Sequence, residues 1–290
     1  MMFSVVIPYY DAEGTIGAQL DALASQRPPP GPWEVVVSDN ESSDALKGLA
    51  RTYSERLENL RVVDASDRRG PAHARNVGVQ AAKGGVIAFC DADDEVGAGW
   101  LAAMSAALDR HDFVACRQDF RKLNPPWAQR IFRDHPQQWG LQRTRYPPNL
   151  PFAGGGTLGF RRSVHESVGG FDESWRVLED KEYCLRVQLA GTELHYVPDA
   201  VIHYRCRTTL SEVFKQARSF AEHDLRLYRL YRPRGARPSE PWKRYVGEWD
   251  HLLRTVSELR SQEMRASWVW QLGWQVGRLQ GSLKHFVPPV

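Results

Sequence analysis

Long apolar runs are missing from this 290-residue chain, and none approaches the roughly 20 residues that span a bilayer. Cysteine is scarce. Cys90, Cys116, Cys184 and Cys206 stand far apart, without the paired spacing of a zinc or redox motif. That excludes a disulfide scaffold and fits a reducing compartment. Cys90 and Cys184 sit in apolar runs and read as small core residues. Excess charge is also missing: the net charge is +3, too mild to argue for a nucleic-acid partner. The chain shows no internal repeat and no low-complexity tract. Its opening, MMFSVVIPYY, has no basic start and too short an apolar run for a secretory signal. The expectation is a cytoplasmic protein, with contact to the inner face of the cell membrane left open.

What is present is ordinary globular composition, 42% hydrophobic and 25% charged. Apolar runs at Phe3–Ile7, Trp33–Val37, Leu60–Val63 and Val86–Cys90 read as strands, the first stopped by Pro8. Helical patterns lie between them at 14–25, 43–57 and 71–82, with another at 99–108. This alternation predicts an α/β fold whose sheet is mainly parallel, with helices on both faces. After an irregular insert over 115–150, with a strand near Phe113–Phe120, strands follow at Thr157–Arg161 and Leu194–His203. Helices follow at Arg162–Val168 and Glu179–Ala190. Beyond about residue 208 the pattern is helical, broken at 233–241, and Val246–Phe286 reads as one amphipathic helix.

In such sheets, ligands bind beyond the carboxyl ends of the strands. Strand one delivers Pro8-Tyr9-Tyr10-Asp11 there, strand two Ser38-Asp39-Asn40-Glu41-Ser42-Ser43-Asp44, and strand four Asp91-Ala92-Asp93-Asp94. Three carboxylates in four residues repel one another and raise each other's pKa, so something must offset them. Asp91 and Asp93 suit a hard divalent cation, Mg²⁺ or Mn²⁺, with room left for phosphate oxygens. A solvated acidic turn would look the same in isolation.

Taken together, VVIPYYDAEGTI, EVVVSDNESSD, RRGPAHARNVG, AAKGGVIAFCDADD, GGFDE at 169–173 and Glu179-Asp180 resemble family 2 glycosyltransferases in order, spacing and residue type. The resemblance covers roughly residues 3 to 205. It implies a GT-A fold, a Rossmann-like mixed and mainly parallel sheet, and an inverting transfer from a nucleotide-diphosphate-sugar. On it, Pro8 and Tyr10 match the first nucleotide contacts, Asp39 the reader of the uracil imide, and Arg75 a residue near base and phosphates. Asp91 matches the ribose contact and Asp93 the metal ligand. Asp11 stands where the family usually has Asn. Asn40 and Glu41 stand for the more usual Asp and Gly. Ser42 and Asp44 read as a helix N-cap arrangement.

On the acceptor side, the resemblance makes Asp180 the general base, with Glu179 second. Acidic residues in a first helical turn also simply favour the macrodipole. Gly155 and Gly156, in the Gly154–Gly156 run, match an acceptor-side glycine region. Trp175 is either a platform for an acceptor sugar or a core residue. His203 matches a metal-binding His of some members, and Arg205 or Arg207 would reach the diphosphate.

The implied domains are 1–207 (catalytic; 1–95 nucleotide-binding, 96–207 acceptor-binding) and 208–290 (helical extension). In the extension, Trp268, Trp270 and Trp274 beside Arg278 and Lys284 fit an anionic membrane surface, a helix packed on its own protein, or a homodimer contact. The expected activity is metal-dependent transfer from a nucleotide-diphosphate-sugar donor, a UDP-sugar, to a hydroxyl of a glycan or lipid-linked acceptor. The alternatives are a nucleotidyltransferase acting on sugar phosphates and a catalytically inactive sugar- or nucleotide-binding scaffold. The first would usually carry a glycine-rich basic loop after strand one, which Pro8-Tyr9-Tyr10-Asp11 is not.

Overall fold

The strand–helix alternation is realised as one eight-stranded mixed sheet. A computed structural model of the chain describes residues 1–40, 48, 51–53, 55–144, 146, 148–235 and 242–289. The helix expected over 43–57 falls partly outside these residues; Glu41, Ser42 and Asp44 fall wholly outside. The strands are β1 (Phe3–Tyr9), β2 (Trp33–Asp39), β3 (Leu60–Asp64), β4 (Val86–Phe89), β5 (Glu95–Val96), β6 (Phe113–Asp119), β7 (Gln142–Arg143), β8 (Pro151–Phe152), β9 (Leu158–Arg161) and β10 (His195–His203). Sheet order is β3-β2-β1-β4-β9-β6-β10-β5. β1, β2, β3 and β4 run parallel, β9 lies antiparallel between β4 and β6, and β5 pairs antiparallel with β10.

Each central strand is buried on both faces, which is why its sequence is apolar without alternation. Val5 and Ile7 pack with Ile16 and Leu20 of α1 (Ile16–Ala24) and with Trp100 and Met104 of α3 (Trp100–Leu108). Val6 and Phe89 face the other way, toward Val79 of α2 (Pro71–Ala81) and Tyr183 of α6 (Glu179–Leu189). Pro8 does not stop β1, as its sequence suggests; it pairs with Ser38. Pairing with β4 has already ended at Val6–Phe89, so no ladder on that side needs the missing N–H.

The chain divides into two compact units. The first comprises Met1–Leu123, His135–Gln142 and Pro151–Arg205; the second comprises Asn124–Asp134, Arg143–Leu150 and Cys206–Val290. Thus 124–134 and 143–150 belong with the helical unit, although they precede residue 207. Within it, Arg130 of α4 (Pro126–Ile131) pairs with Glu263 at 2.5 Å, and the Asn124 side chain accepts the Cys206 N–H at 2.7 Å. The helix expected over Val246–Phe286 is two helices, α8 (Trp242–Thr255) and α9 (Gln262–His285). Ser261 breaks the run by capping α9 at the Met264 N–H.

In the first unit, α2 is anchored at its solvent side by a polar cluster. Asn76 donates to the Phe171 carbonyl and to Glu173, and its amide oxygen accepts the Phe171 N–H. Glu173 also receives Arg68 at 2.9 Å and His73 Nδ1 at 3.0 Å, while His73 Nε2 lies 2.8 Å from Asp67. Burial opposes a charge on His73, but the hydrogen bonds to Asp67 and Glu173 raise its pKa overall. A raised folded-state value stabilises the protein below the ordinary imidazole pKa and loses that contribution as pH climbs through the folded value. The difference in melting temperature between the native protein and His73→Ala is therefore expected to be larger at pH 5.5 than at pH 8.5. A pH-independent difference would show that folding leaves the imidazole pKa unchanged, and a smaller difference at pH 5.5 that the fold holds it neutral.

Candidate active site

Arg75, on α2, lies where the carboxyl end of β4 meets the N-terminus of α6 and the Gly154–Thr157 turn. Its guanidinium donates from Nη1 to Glu179 Oε1 at 2.6 Å and from Nη2 to Asp91 Oδ1 at 2.9 Å. The residue is only 4% exposed. Its ζ carbon lies 5.8 Å from the ring centroids of both Phe89 and Phe171. Burial opposes the cation, but Asp91, Glu179 and Asp180 raise its pKa further above the usual arginine value. Arg75, which the resemblance matches to a residue near base and phosphates, is here the partner of two protein carboxylates. Its burial is what makes two acidic partners necessary.

Gly155 and Gly156 are explained by Arg75 and its partner Asp91. A Cβ on Gly155 would sit 2.7 Å from the Arg75 guanidinium carbon, and one on Gly156 2.5 Å from the Asp91 carboxylate. The room that Gly155 and Gly156 leave is filled by the protein's own side chains, not held open for an acceptor. The Gly155 N–H also donates to Asp180 Oδ2 at 2.8 Å.

Glu179 is buried, and its pKa is raised by burial and by the neighbouring Asp180 against the pull of Arg75. Asp180 is more accessible; Oδ1 accepts its neighbour's N–H at Lys181, 2.7 Å away. Burial raises its pKa, while Arg75 and the two backbone donors lower it. The residue before this acidic pair, Leu178, takes a left-handed conformation at φ 61°. No signal in the sequence marks this, yet strained non-glycine backbone is concentrated at working sites.

The three aspartates after β4 sit in three different settings. Asp91 has Arg75 on Oδ1, and its backbone carbonyl accepts Gln19 Nε2 at 3.0 Å. Asp93 has its carbonyl bound by Arg205 Nε at 2.8 Å. Asp94 is 3% exposed and accepts the Arg205 N–H at 2.8 Å. Burial, then Asp93 and Asp91, pushes its pKa well above the ordinary carboxylate value, toward the neutral acid. Arg205 thus braces this loop. Gln19 also accepts the Val96 N–H at 2.9 Å, pinning both ends of the acidic loop to α1. A glutamine on the same stripe as Ile16, Leu20 and Leu23 was its one sequence signal.

Asp39 closes β2 as a buried residue, and its carbonyl accepts the Ala65 N–H at 2.8 Å. Asn40 is a latch: its amide donates to the Ala65 and Arg68 carbonyls and its oxygen accepts the Gly70 N–H, fixing the approach to α2. Pro8 lies in β1, and Tyr10 just beyond it is 52% exposed. The Arg69 guanidinium lies 5.2 Å from the Tyr10 ring centroid and donates to its hydroxyl at 2.9 Å. Trp175 is 2% exposed, with its indole N–H given to Asp172 at 3.1 Å, so it is packed inside and presents no face to a sugar. His203 ends β10 opposite Glu95, with Nδ1 3.4 Å from Asp119 Oδ2; burial and Lys122 lower its pKa. Among the described residues, no three His, Cys, Asp or Glu side chains gather around one metal position.

This is the sheet edge of an α/β protein with the GT-A glycosyltransferase fold. The fold is that of the Pyrobaculum calidifontis mannosyltransferase PcManGT, solved with GDP-Man and Mn²⁺ (TM-score 0.67, 20% identity, 98% of this chain and 86% of that one). Staphylococcus aureus TarS 1–349, solved with UDP-GlcNAc, aligns at TM-score 0.56 and 20% identity over 99% of this chain and 93% of that one. The family profile of glycosyl transferase family 2 matches residues 4–169, and the chain belongs to that family. Glycosyltransferase AglE of Haloferax volcanii is 37% identical over 98 residues, 34% of this chain and 32% of that protein. The first curated relatives are matched over little more than a third of their length or less.

Gly155→Ala is expected to destabilise the first unit by about 1–3 kcal/mol, because Arg75 cannot retreat without losing both carboxylates. Denaturant unfolding measures it, and an unchanged midpoint would show that the guanidinium is not held against this turn.

Proposed function

We propose that the protein is an inverting, metal-dependent glycosyltransferase that moves a sugar from a UDP-sugar to a hydroxyl of a glycan or lipid-linked acceptor. The observation that carries this reading is the division of labour between Glu179 and Asp180. Glu179 is tied to Arg75 at 2.6 Å as its counter-ion. Asp180, oriented by the Gly155 and Lys181 N–H groups, is then the proton acceptor. Its raised pKa makes it a better base than an exposed aspartate.

The acceptor oxygen attacks the anomeric carbon in line as the bond to the nucleotide diphosphate breaks. The acceptor's proton passes to Asp180. One displacement inverts the configuration. Asp91 binds ribose hydroxyls, Asp39 accepts the uracil imide N–H, and Tyr10 lies against the base, next to Arg69. Asp93 and His203 are the side chains that would hold a divalent cation. An oxygen donor from a carboxylate and few protein ligands suit Mg²⁺ or Mn²⁺, whose other positions the diphosphate would fill. Such a cation, when bound, supplies charge stabilisation to the departing diphosphate.

The donor choice rests on Asp39. Guanine also offers N–H groups to a carboxylate, so UDP, GDP and dTDP are to be compared by calorimetry with Mn²⁺ and with chelator. Metal-dependent binding of UDP alone is expected, with Asp93→Asn losing the metal dependence. A preference for GDP or dTDP overturns the base assignment, and no binding at all favours the inactive scaffold.

Asp180→Asn is expected to keep UDP binding and to lower turnover, read as UDP release, by about 10²–10⁴-fold. The acid limb of the native rate profile should lie above the roughly 3.9 of an ordinary aspartate. Near-normal turnover in Asp180→Asn moves the base elsewhere.

A further inference from the structure

We infer that Arg75 is a positioning residue that couples the donor side of the site to the acceptor side, through one buried guanidinium shared by Asp91 and Glu179. The inference rests on the roles proposed above for Asp91 and for the Glu179–Asp180 pair. The two partners come from different parts of the fold: Asp91 follows β4, and Glu179 begins α6. The 2.9 and 2.6 Å bonds to them leave from the two terminal nitrogens of one planar group. The fork therefore sets the separation of the two carboxylates as well as their orientation.

The fork has nowhere else to go. Phe89 and Phe171 lie 5.8 Å from its ζ carbon, and the Gly155 backbone is in close approach. Its Nε is buried and makes no hydrogen bond among the described residues. The next residue on α2, Asn76, is bound on both sides of the Phe171 peptide, which fixes the helix against that ring. Asp91 is confined as well, because Gly156 lies directly against its carboxylate. With Oδ1 given to Arg75, its orientation toward a ribose depends on where Arg75 is held. Where Arg75 is held depends on Glu179.

A change at Glu179, on the acceptor side, should thus be felt by the nucleotide. The test is UDP binding with Mn²⁺, by calorimetry, to the native protein, Glu179→Gln, Arg75→Lys and the double variant. Glu179→Gln is expected to weaken UDP by about fivefold or more. In the Arg75→Lys background the same substitution should add nothing, because a point charge cannot bridge both carboxylates. Should Arg75→Lys fail to fold, judged by circular dichroism and melting, Gly155→Ala replaces it as the variant that displaces the guanidinium.

Native-like UDP affinity in Glu179→Gln overturns the coupling while leaving the donor reading intact. So does an effect of the same size in both backgrounds. Failure of the native protein to bind UDP, GDP or dTDP overturns the donor reading, and the coupling with it.

Discussion

A guanidinium taken out of water must be met by opposite charge, at a cost of several kcal/mol where it is not. Arg75 is met twice, by Asp91 and Glu179, and the neighbouring structure accommodates that arrangement. Two phenylalanines supply ring faces, Gly155 keeps a Cβ out of its way and Gly156 keeps one away from Asp91, and Asn76 holds its helix against one of the rings. Charge-assisted hydrogen bonds in a poorly solvated setting are short and directional. A side chain that satisfies two such bonds at once fixes the positions of both partners.

The acid-rich edge then has an intelligible charge balance. Asp91 and Glu179 share one cation, Asp180 has two backbone donors, and Asp94 is driven toward its neutral form by burial. Asp93 sits between neighbours already accounted for, on a loop braced by Arg205 and Gln19. A bare diphosphate would be repelled by such an edge. A cation–diphosphate complex would not, and the proposed metal dependence is the same statement made about charge.

Much of this was legible in the residues. The continuous apolar strands announced a sheet covered on both faces, and the polar runs ending β1, β2 and β4 announced the edge where the candidate site lies. The antiparallel insertion of β9 between β4 and β6 was not legible, because pairing direction leaves no mark on a four-residue strand. Nor was the role of Arg75, since a helix-borne arginine reads alike whether it meets solvent, phosphate or buried carboxylates. The glycine run was visible, but its reason was not: the groups it accommodates, Arg75 and Asp91, lie far back in the chain on other elements. Trp175 was ambiguous from composition and was decided by burial alone.

In the helical unit, packing accounts for part of the same pattern. Tryptophans next to basic residues fit a membrane surface or a helix seated on its own protein equally well in sequence. Here Trp268 gives its indole N–H to the Leu252 carbonyl at 2.9 Å, and the Trp270 ring meets Phe220 edge-on at 6.2 Å. Both rings are half-buried within the unit. The stronger signal was the spacing of Gly273, Gly277 and Gly281, one per turn of α9. A Cβ at each would press on the backbone of α7 (Leu210–Tyr231), at Phe214, Arg218 and Glu222 in turn. Residues that admit a neighbouring backbone this closely specify a partner helix and its register, which a lipid surface does not require.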